Sequence, residues 1–285
     1  MLEALNDYQY PNSIDAAAAL LRKPGSRVIA GGSALTLINN SSIQSLVDIR
    51  DLDLAYIRDS HGDFSIGART TAYEIAYDEN LPKSLRSCAF KIGDPPLLHA
   101  VTIGGNIADI YPWCDFPCVL LALNATVRFI EIETGKLVTA PASQFFEDFK
   151  KRQSTQATGL ITEIAIPKPV PHSFDDFQKF TLTDNEKSQA NLALQITWEP
   201  TSKRVTNARI AVSALTKFPQ RVPAVEKILE GSKLNELTIS EAARAISNSL
   251  EIVPNFKSSV EYRKNIISVF LVRSLRSVIM EAGSK

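Results

Sequence analysis

Two pairs of adjacent glycines, Gly31-Gly32 and Gly104-Gly105, constrain the fold of this chain more than any other feature of its sequence. The chain has only 12 glycines among its 285 residues. That is a share of about 4%, where proteins average about 7%. Glycine alone adopts positive φ without strain and lets other backbone approach closely. We therefore expect both pairs to occupy positions that need one of these two properties.

Each glycine pair follows a short apolar segment. Residues 28–35 are predicted to form a strand, a glycine turn and the start of a helix over residues 34–38, and residues 101–103 are predicted to be extended. Backbone N–H groups at such turns point into a concavity and attract a phosphate. One such loop alone is more often a turn without a ligand, whereas two in one domain favour a ligand with a pyrophosphate. Neither Gly-x-Gly-x-x-Gly nor Gly-Lys-Ser/Thr occurs, which disfavours the standard dinucleotide-binding folds and P-loop nucleotidases.

A proline-rich segment, residues 167–171, divides the predicted elements into two parts. Upstream, helices and strands alternate, and Pro95-Pro96 is predicted to end a helix. Downstream, strands precede helices, which is typical of α+β domains. We predict domains at 1–167, with lobes at about 1–55 and 56–167, and at 172–285. The predicted helices are 14–22, 72–77, 116–123, 222–230, 240–250 and 260–280, and the predicted strands are 27–30, 46–49, 64–68, 127–132, 136–139, 160–166, 174–180, 191–198 and 205–215.

The overall charge and cysteine content limit the possible partners and compartment. With 31 basic and 31 acidic residues the formal net charge is zero, so there is no electrostatic reason to bind nucleic acid or an anionic membrane. No apolar run reaches the roughly 18 residues of a membrane span, and the N-terminus lacks the pattern of a signal peptide. Three cysteines indicate no disulfide framework, and we expect a cytoplasmic protein.

Four motifs occur in a fixed order along the chain. They are Ala-Gly-Gly-Ser-Ala-Leu at 30–35, Ser-Ile-Gly-Ala-Arg-Thr-Thr at 65–71, Thr-Ile-Gly-Gly-Asn at 102–106 and Ser-Val-Glu-Tyr-Arg at 259–263. Together they resemble the FAD-binding medium subunits of the molybdenum hydroxylases, the family of xanthine dehydrogenase and carbon monoxide dehydrogenase. The resemblance covers the chain from end to end.

The resemblance implies a fold and a set of FAD-binding residues. The fold is α+β: a two-lobed FAD-binding domain of the PCMH type, similar to vanillyl-alcohol oxidase, followed by a C-terminal domain with a three-stranded antiparallel sheet and a helical cluster. The two glycine loops would hold the pyrophosphate through backbone N–H groups, and an apolar residue and a linker-flanking pair would contact the flavin. The implied residues are Val28, Ile29, Ala30, Gly31, Gly32, Ser33, Ala34, Leu35, Ile92, Thr102, Ile103, Gly104, Gly105, Asn106, Asp115, Ile161 and Lys179.

Two of these residues have alternative interpretations. Asp115 would accept hydrogen bonds from sugar or ribityl hydroxyls, or it would cap the helix that starts at Phe116, and it can do both. Lys179 would stabilise the reduced flavin near its pyrimidine edge, or it is a solvated charge on an exposed strand face. Trp113 and the pair Phe145-Phe146 are expected to be core residues.

The implied function is electron transfer. The chain would take electrons from [2Fe-2S] clusters of a small subunit, which receives them from a molybdopterin-bearing large subunit, and pass them to NAD or another acceptor in a dimer of heterotrimers. A free-standing flavin oxidoreductase and a scaffold subunit without cofactor are the alternatives. The chain departs from the family in having Leu98 where a basic residue is common and in its loop 181–186, which leaves the electron acceptor open. The scattered histidines and cysteines form no metal-binding spacing, and we assign no catalytic or metal-binding residue.

Overall fold

A computed structural model describes residues 4–35, 42–152, 158–183 and 186–284. The first lobe contains a small parallel sheet with strand order β1-β3-β2. Its helix begins where predicted, because the Ser13 hydroxyl accepts a hydrogen bond from the N–H of Ala16 (3.1 Å). The elements are β1 (Asp7–Gln9), α1 (Ile14–Leu21), β2 (Ser26–Ile29) and β3 (Ser45–Asp48).

The second lobe is built on a five-stranded antiparallel sheet with strand order β4-β5-β8-β6-β7. Helices inserted between β5 and β6 cover this sheet with a continuous apolar core. The elements are β4 (Ile57–Asp59), β5 (Asp63–Gly67), α2 (Ala72–Tyr77), α3 (Lys83–Phe90), α4 (Pro95–Ala100), α5 (Ile103–Ala108), α6 (Phe116–Ala122), β6 (Thr126–Glu131), β7 (Leu137–Pro141), α7 (Ala142–Arg152) and β8 (Gly159–Pro167).

Three local predictions in these lobes need comment. Pro95-Pro96 begins α4 rather than ending a helix, because proline fits the first turn, where its missing N–H has no partner to lose. Residues 33–35 form a turn, and the rest of the helix predicted at 34–38 lies outside the described residues. Helix α7 was not predicted, although its Phe145 and Phe146 are buried as expected.

The C-terminal part contains an antiparallel sheet with strand order β12-β11-β10-β9. Its three long strands confirm the prediction, and β12 adds a fourth strand of two residues at the edge. The helices pack on one face of the sheet. The elements are β9 (Ser173–Phe180), β10 (Ala190–Trp198), β11 (Val205–Ser213), β12 (Gln220–Arg221), α8 (Pro223–Leu229), α9 (Glu236–Ser249) and α10 (Val260–Ser284).

Both faces of the C-terminal sheet are covered. Along β10, Leu192 and Leu194 face the core formed with α8, α9 and α10, whereas Ala193 between them joins the core of the second lobe. This alternation follows from the two-residue repeat of a strand. On the second-lobe side, α6 packs against β10 and β11, and the Cys118 thiol contacts the Ala211 carbonyl oxygen at 3.3 Å. The two parts therefore meet across buried apolar surface.

Candidate functional site

The first glycine pair combines a close approach with a left-handed turn. A Cβ on Gly31 would lie 1.6 Å from the carbonyl oxygen of Ala100, so only glycine fits there. Gly32 has a φ of +73°, which favours glycine for a different reason. Within the described residues, no acceptor takes the backbone N–H of either glycine. These two N–H groups are available to a ligand.

The sequence predicted a turn after an extended segment at the second glycine pair. In the structure this pair lies in the first turn of helix α5 instead. Thr102 is the N-cap of α5, its hydroxyl accepting from the N–H of Gly105 at 3.2 Å. The N–H of Ile103 donates to Thr70 O at 3.0 Å and that of Gly104 to Ala68 O at 2.9 Å. A Cβ on Gly104 would lie 2.7 Å from Ala68 Cβ. The pair therefore lets α5 pack closely against the end of β5, and the first N–H groups of the helix already have acceptors.

Both glycine segments line one cavity of about 690 Å³, a volume within the range of small-molecule and cofactor sites. Ile29 and Ile103 are the two predicted residues that do not line it, because they pack into apolar cores instead. All the others line this cavity: Val28, Ala30, Gly31, Gly32, Ser33, Ala34, Leu35, Ile92, Thr102, Gly104, Gly105, Asn106, Asp115, Ile161 and Lys179.

Asp115 is the centre of a buried polar network between the two parts of the chain. Its Oδ1 accepts from Ser188 Oγ at 2.6 Å and from Asn191 Nδ2 at 2.7 Å, and its Oδ2 accepts from Lys179 Nζ at 2.8 Å. The alternative in which the Asp115 side chain caps α6 is wrong, since it makes no capping hydrogen bond. Asn106 does this instead, with its Oδ1 accepting from the Phe116 N–H at 3.3 Å.

Lys179 is not a solvated charge. Its side chain is buried against Asp115, and its ammonium also donates to the carbonyl oxygen of Lys91 at 2.7 Å. The exposed-face interpretation is therefore wrong. Lys179 lines the cavity as half of an ion pair, which reduces the net charge it presents there.

Other residues that line the cavity were not predicted. Arg27 forms an ion pair with Asp109. Trp113 is 36% exposed and not a core residue: its ring stacks on Tyr111 with centroids 4.9 Å apart, and the ammonium of Lys187 lies 3.8 Å from its ring centroid. No local pattern could reveal these contacts, because most of the partners lie far apart in sequence. The only signal in the sequence for these lining residues was that charged and aromatic residues follow shortly after the second glycine motif.

The cysteines are buried free thiols. Burial raises the pKa of Cys114, on the cavity wall, to about 12, and burial likewise raises the pKa of Cys88 and Cys118. All three are therefore neutral at physiological pH, which is the unreactive form. No group of three or more His, Cys, Asp or Glu side chains suited to a metal ion occurs in the described part of the chain. In the same ranges, no helix is long and apolar enough to cross a membrane.

Comparison with known proteins identifies the family of this fold and cavity. Residues 3–169 match the model of the FAD binding domain in molybdopterin dehydrogenase. The chain belongs to this family. Residues 176–278 match the CO dehydrogenase flavoprotein C-terminal domain. The chain thus carries an FAD-binding domain of a class of oxidoreductases.

Individual relatives are similar over nearly the whole chain. The carbon monoxide dehydrogenase medium chain of Afipia carboxidovorans is 27% identical over 96% of this chain and 97% of its own length. The glyceraldehyde dehydrogenase medium chain of Sulfolobus acidocaldarius is 27% identical over 88% of this chain and 90% of its own. A solved structure of Cu,Mo-CO dehydrogenase superposes with a TM-score of 0.86 at 26% identity, covering 95% of this chain and 96% of that chain.

Proposed function

We propose that this chain is the FAD-binding, electron-transferring medium subunit of a heteromeric molybdenum-containing hydroxylase or dehydrogenase. It accepts electrons from [2Fe-2S] clusters of a partner subunit and passes them to NAD or another acceptor. The observation that carries the proposal is one cavity lined by both glycine segments and by residues of the C-terminal part, in a chain of this family.

The residues of the cavity fit FAD. The N–H groups of Gly31 and Gly32 have no acceptor among the described residues and line the cavity, where they would bind the pyrophosphate. Asp115 uses three of its four acceptor positions within the protein, which leaves one for a ribityl or sugar hydroxyl. Ile92 and Ile161 offer apolar contact to the ring system. The bound FAD supplies two-electron redox chemistry, and the protein supplies its position and electrostatic surroundings.

The proposed assembly follows from the relatives. Two relatives that match over most of their length are named as the medium chains of carbon monoxide dehydrogenase and of glyceraldehyde dehydrogenase, and the term medium chain indicates further subunits. We propose an iron–sulfur small subunit and a molybdopterin large subunit as partners, in a dimer of heterotrimers. Its buried free thiols suit a reducing compartment, in line with a cytoplasmic complex.

Affinity purification of the tagged full-length chain from its native cells tests this proposal. We expect about one FAD per chain in the absorbance spectrum, together with an iron–sulfur protein and a molybdenum-containing protein in the same complex. A monomer that retains FAD and oxidises a substrate alone would contradict the subunit role. A complex that contains the partners but no flavin would support a scaffold role instead.

A further inference from the structure

Among the described residues, six charged side chains line the cavity, three of them acidic and three basic. They come from the first lobe, from the segment after α5 and from the C-terminal part. Arg27, Asp109, Asp115, Lys179, Glu186 and Lys187 form this set. Their pairing decides which charge the cavity presents to a bound molecule.

Five of the six are paired. Arg27 is paired with Asp109, and Lys179 with Asp115. Glu186 is paired with Lys257, which lies outside the cavity, at 3.2 Å. Each pair is close to neutral, so its field falls off quickly with distance.

Lys187 is the exception. In the described ranges its ammonium meets no carboxylate, and its contact is the face of the Trp113 ring at 3.8 Å. An aromatic face attracts a cation but does not neutralise its charge. Lys187 therefore contributes the uncompensated positive charge among the described residues that line the cavity.

Lys187 directly precedes a residue of the polar network around Asp115. The next residue, Ser188, donates to Asp115, and Asp115 in turn binds Lys179, whose ammonium also contacts the Lys91 carbonyl beside Ile92. Under the proposed function, this is the end at which the flavin ring and ribityl chain are held. The first glycine pair, placed to bind the pyrophosphate, belongs to a different element.

We propose that Lys187, and not Lys179, is the cation that stabilises the reduced form of the bound flavin. This inference rests on the proposed FAD-binding function. Reduction adds negative charge to the ring, and an unpaired ammonium close to the ring would attract that charge more strongly than a neutralised pair does. Binding of oxidised FAD, whose ring is neutral, depends little on Lys187.

A spectroscopic redox titration of the FAD-loaded full-length chain tests the proposal. Lys187→Met keeps the apolar stem over Trp113 and removes the charge, whereas Lys187→Arg keeps the charge. We expect Lys187→Met to lose about tenfold of the preference for reduced flavin, which is about 30 mV for a two-electron couple. Lys187→Arg is expected to stay near the wild-type potential. Lys83→Met is the matched control, since Lys83 also lies over an aromatic ring, Phe174 at 6.0 Å, but does not line the cavity.

The affinity for oxidised FAD, measured on the same variants, separates the alternatives. An unchanged affinity with a lowered potential in Lys187→Met supports the proposal. An unchanged potential overturns it, and so does an equal loss of affinity for oxidised FAD and for ADP, which would place Lys187 at the pyrophosphate. These results leave the proposed function intact, whereas a wild-type chain that binds no FAD contradicts that function and this inference together.

Discussion

At the scale of single residues, the glycines of the two pairs meet different physical requirements. Gly31 and Gly104 have ordinary φ values and are needed because other backbone lies where a Cβ would be. A Cβ on Gly32 would have enough space, since the nearest atom, Ile29 Cδ1, would lie 3.6 Å away. The φ of Gly32, however, is positive. The loss of stability caused by adding a side chain therefore differs in size and in cause between Gly31 and Gly32.

Alanine substitutions test this distinction. We expect Gly31→Ala to destabilise the fold by more than about 3 kcal/mol, the upper range for overpacking, and to abolish FAD retention, because a backbone oxygen cannot move aside as a side chain can. Gly32→Ala should cost only about 1–2 kcal/mol, the strain of a left-handed residue. Gly283→Ala is the control, at an open helical position where alanine is neutral or favourable. Urea denaturation and flavin absorbance measure both effects, and equal stability of the Gly31 and Gly283 variants would contradict the close approach.

At the scale of elements, a polar cluster ties the entry of β4 to the middle of the five-stranded sheet. The Tyr56 hydroxyl donates to Glu163 of β8 at 2.8 Å, and Arg128 of β6 pairs with the other oxygen of the same carboxylate at 2.5 Å. Burial, with the nearby Glu163 carboxylate, raises the pKa of Tyr56 to about 12. The protonated phenol is therefore the form that the folded sheet favours.

Tyr56→Phe is expected to cost about 0.5–1.5 kcal/mol at pH 7, the net value of a hydrogen bond. Since the pKa of Tyr56 is higher in the folded state than in the unfolded chain, the contribution is complete below about pH 10 and is lost as pH rises toward 12. The difference in unfolding free energy between wild type and Tyr56→Phe should accordingly shrink over that interval. Tyr10→Phe, at an exposed ring, serves as control and should change stability by less than about 0.5 kcal/mol. A difference that stays constant from pH 8 to 12 would refute the assignment.

At the scale of the whole molecule, the C-terminal part completes the cavity and is joined to the second lobe by both apolar and polar contacts. The apolar contact is the face of the C-terminal sheet that packs on α6. The polar contact is Asp115, which binds Lys179, Ser188 and Asn191 of the C-terminal part. A change at Asp115 therefore acts on both the cavity and the connection between the parts.

A double-mutant cycle measures this connection. Asp115→Asn leaves the buried ammonium of Lys179 without its counter-charge, and we expect a loss of about 3–5 kcal/mol of unfolding free energy. Lys179→Met is the second single variant of the cycle, and the double variant Asp115→Asn/Lys179→Met removes both charges and should recover more than half of the loss seen with Asp115→Asn. The exposed pair of Arg58 and Asp53, at 3.2 Å, provides the control, with Asp53→Asn costing less than about 1 kcal/mol. Additive losses in the double variant would show that the two charges do not interact.

Much of the fold was predictable because its signals are local. The cap at Ser13 and the three long strands of the C-terminal sheet depend on neighbours a few residues away, and each lies where predicted. The prediction that residues 101–103 are extended was wrong at Ile103, which is the first residue of helix α5. Two glycines disfavour a helix by roughly 1 kcal/mol each, yet acceptors on Thr70 and Ala68 complete the first turn of α5.

The sequence by itself determined the α+β class, the order of the long strands and helices of the C-terminal part, and fifteen of the residues that line the cavity, since apolar periodicity, caps and short motifs are encoded over a few positions. Only the tertiary structure decided how the charges in that cavity are paired. Arg27 and Asp109 are 82 residues apart, and Lys179 and Asp115 are 64 apart. Whether a lysine is neutralised, as Lys179 is, or left over an aromatic ring, as Lys187 is, depends on which distant segments the folded chain brings together, and no local pattern specifies that.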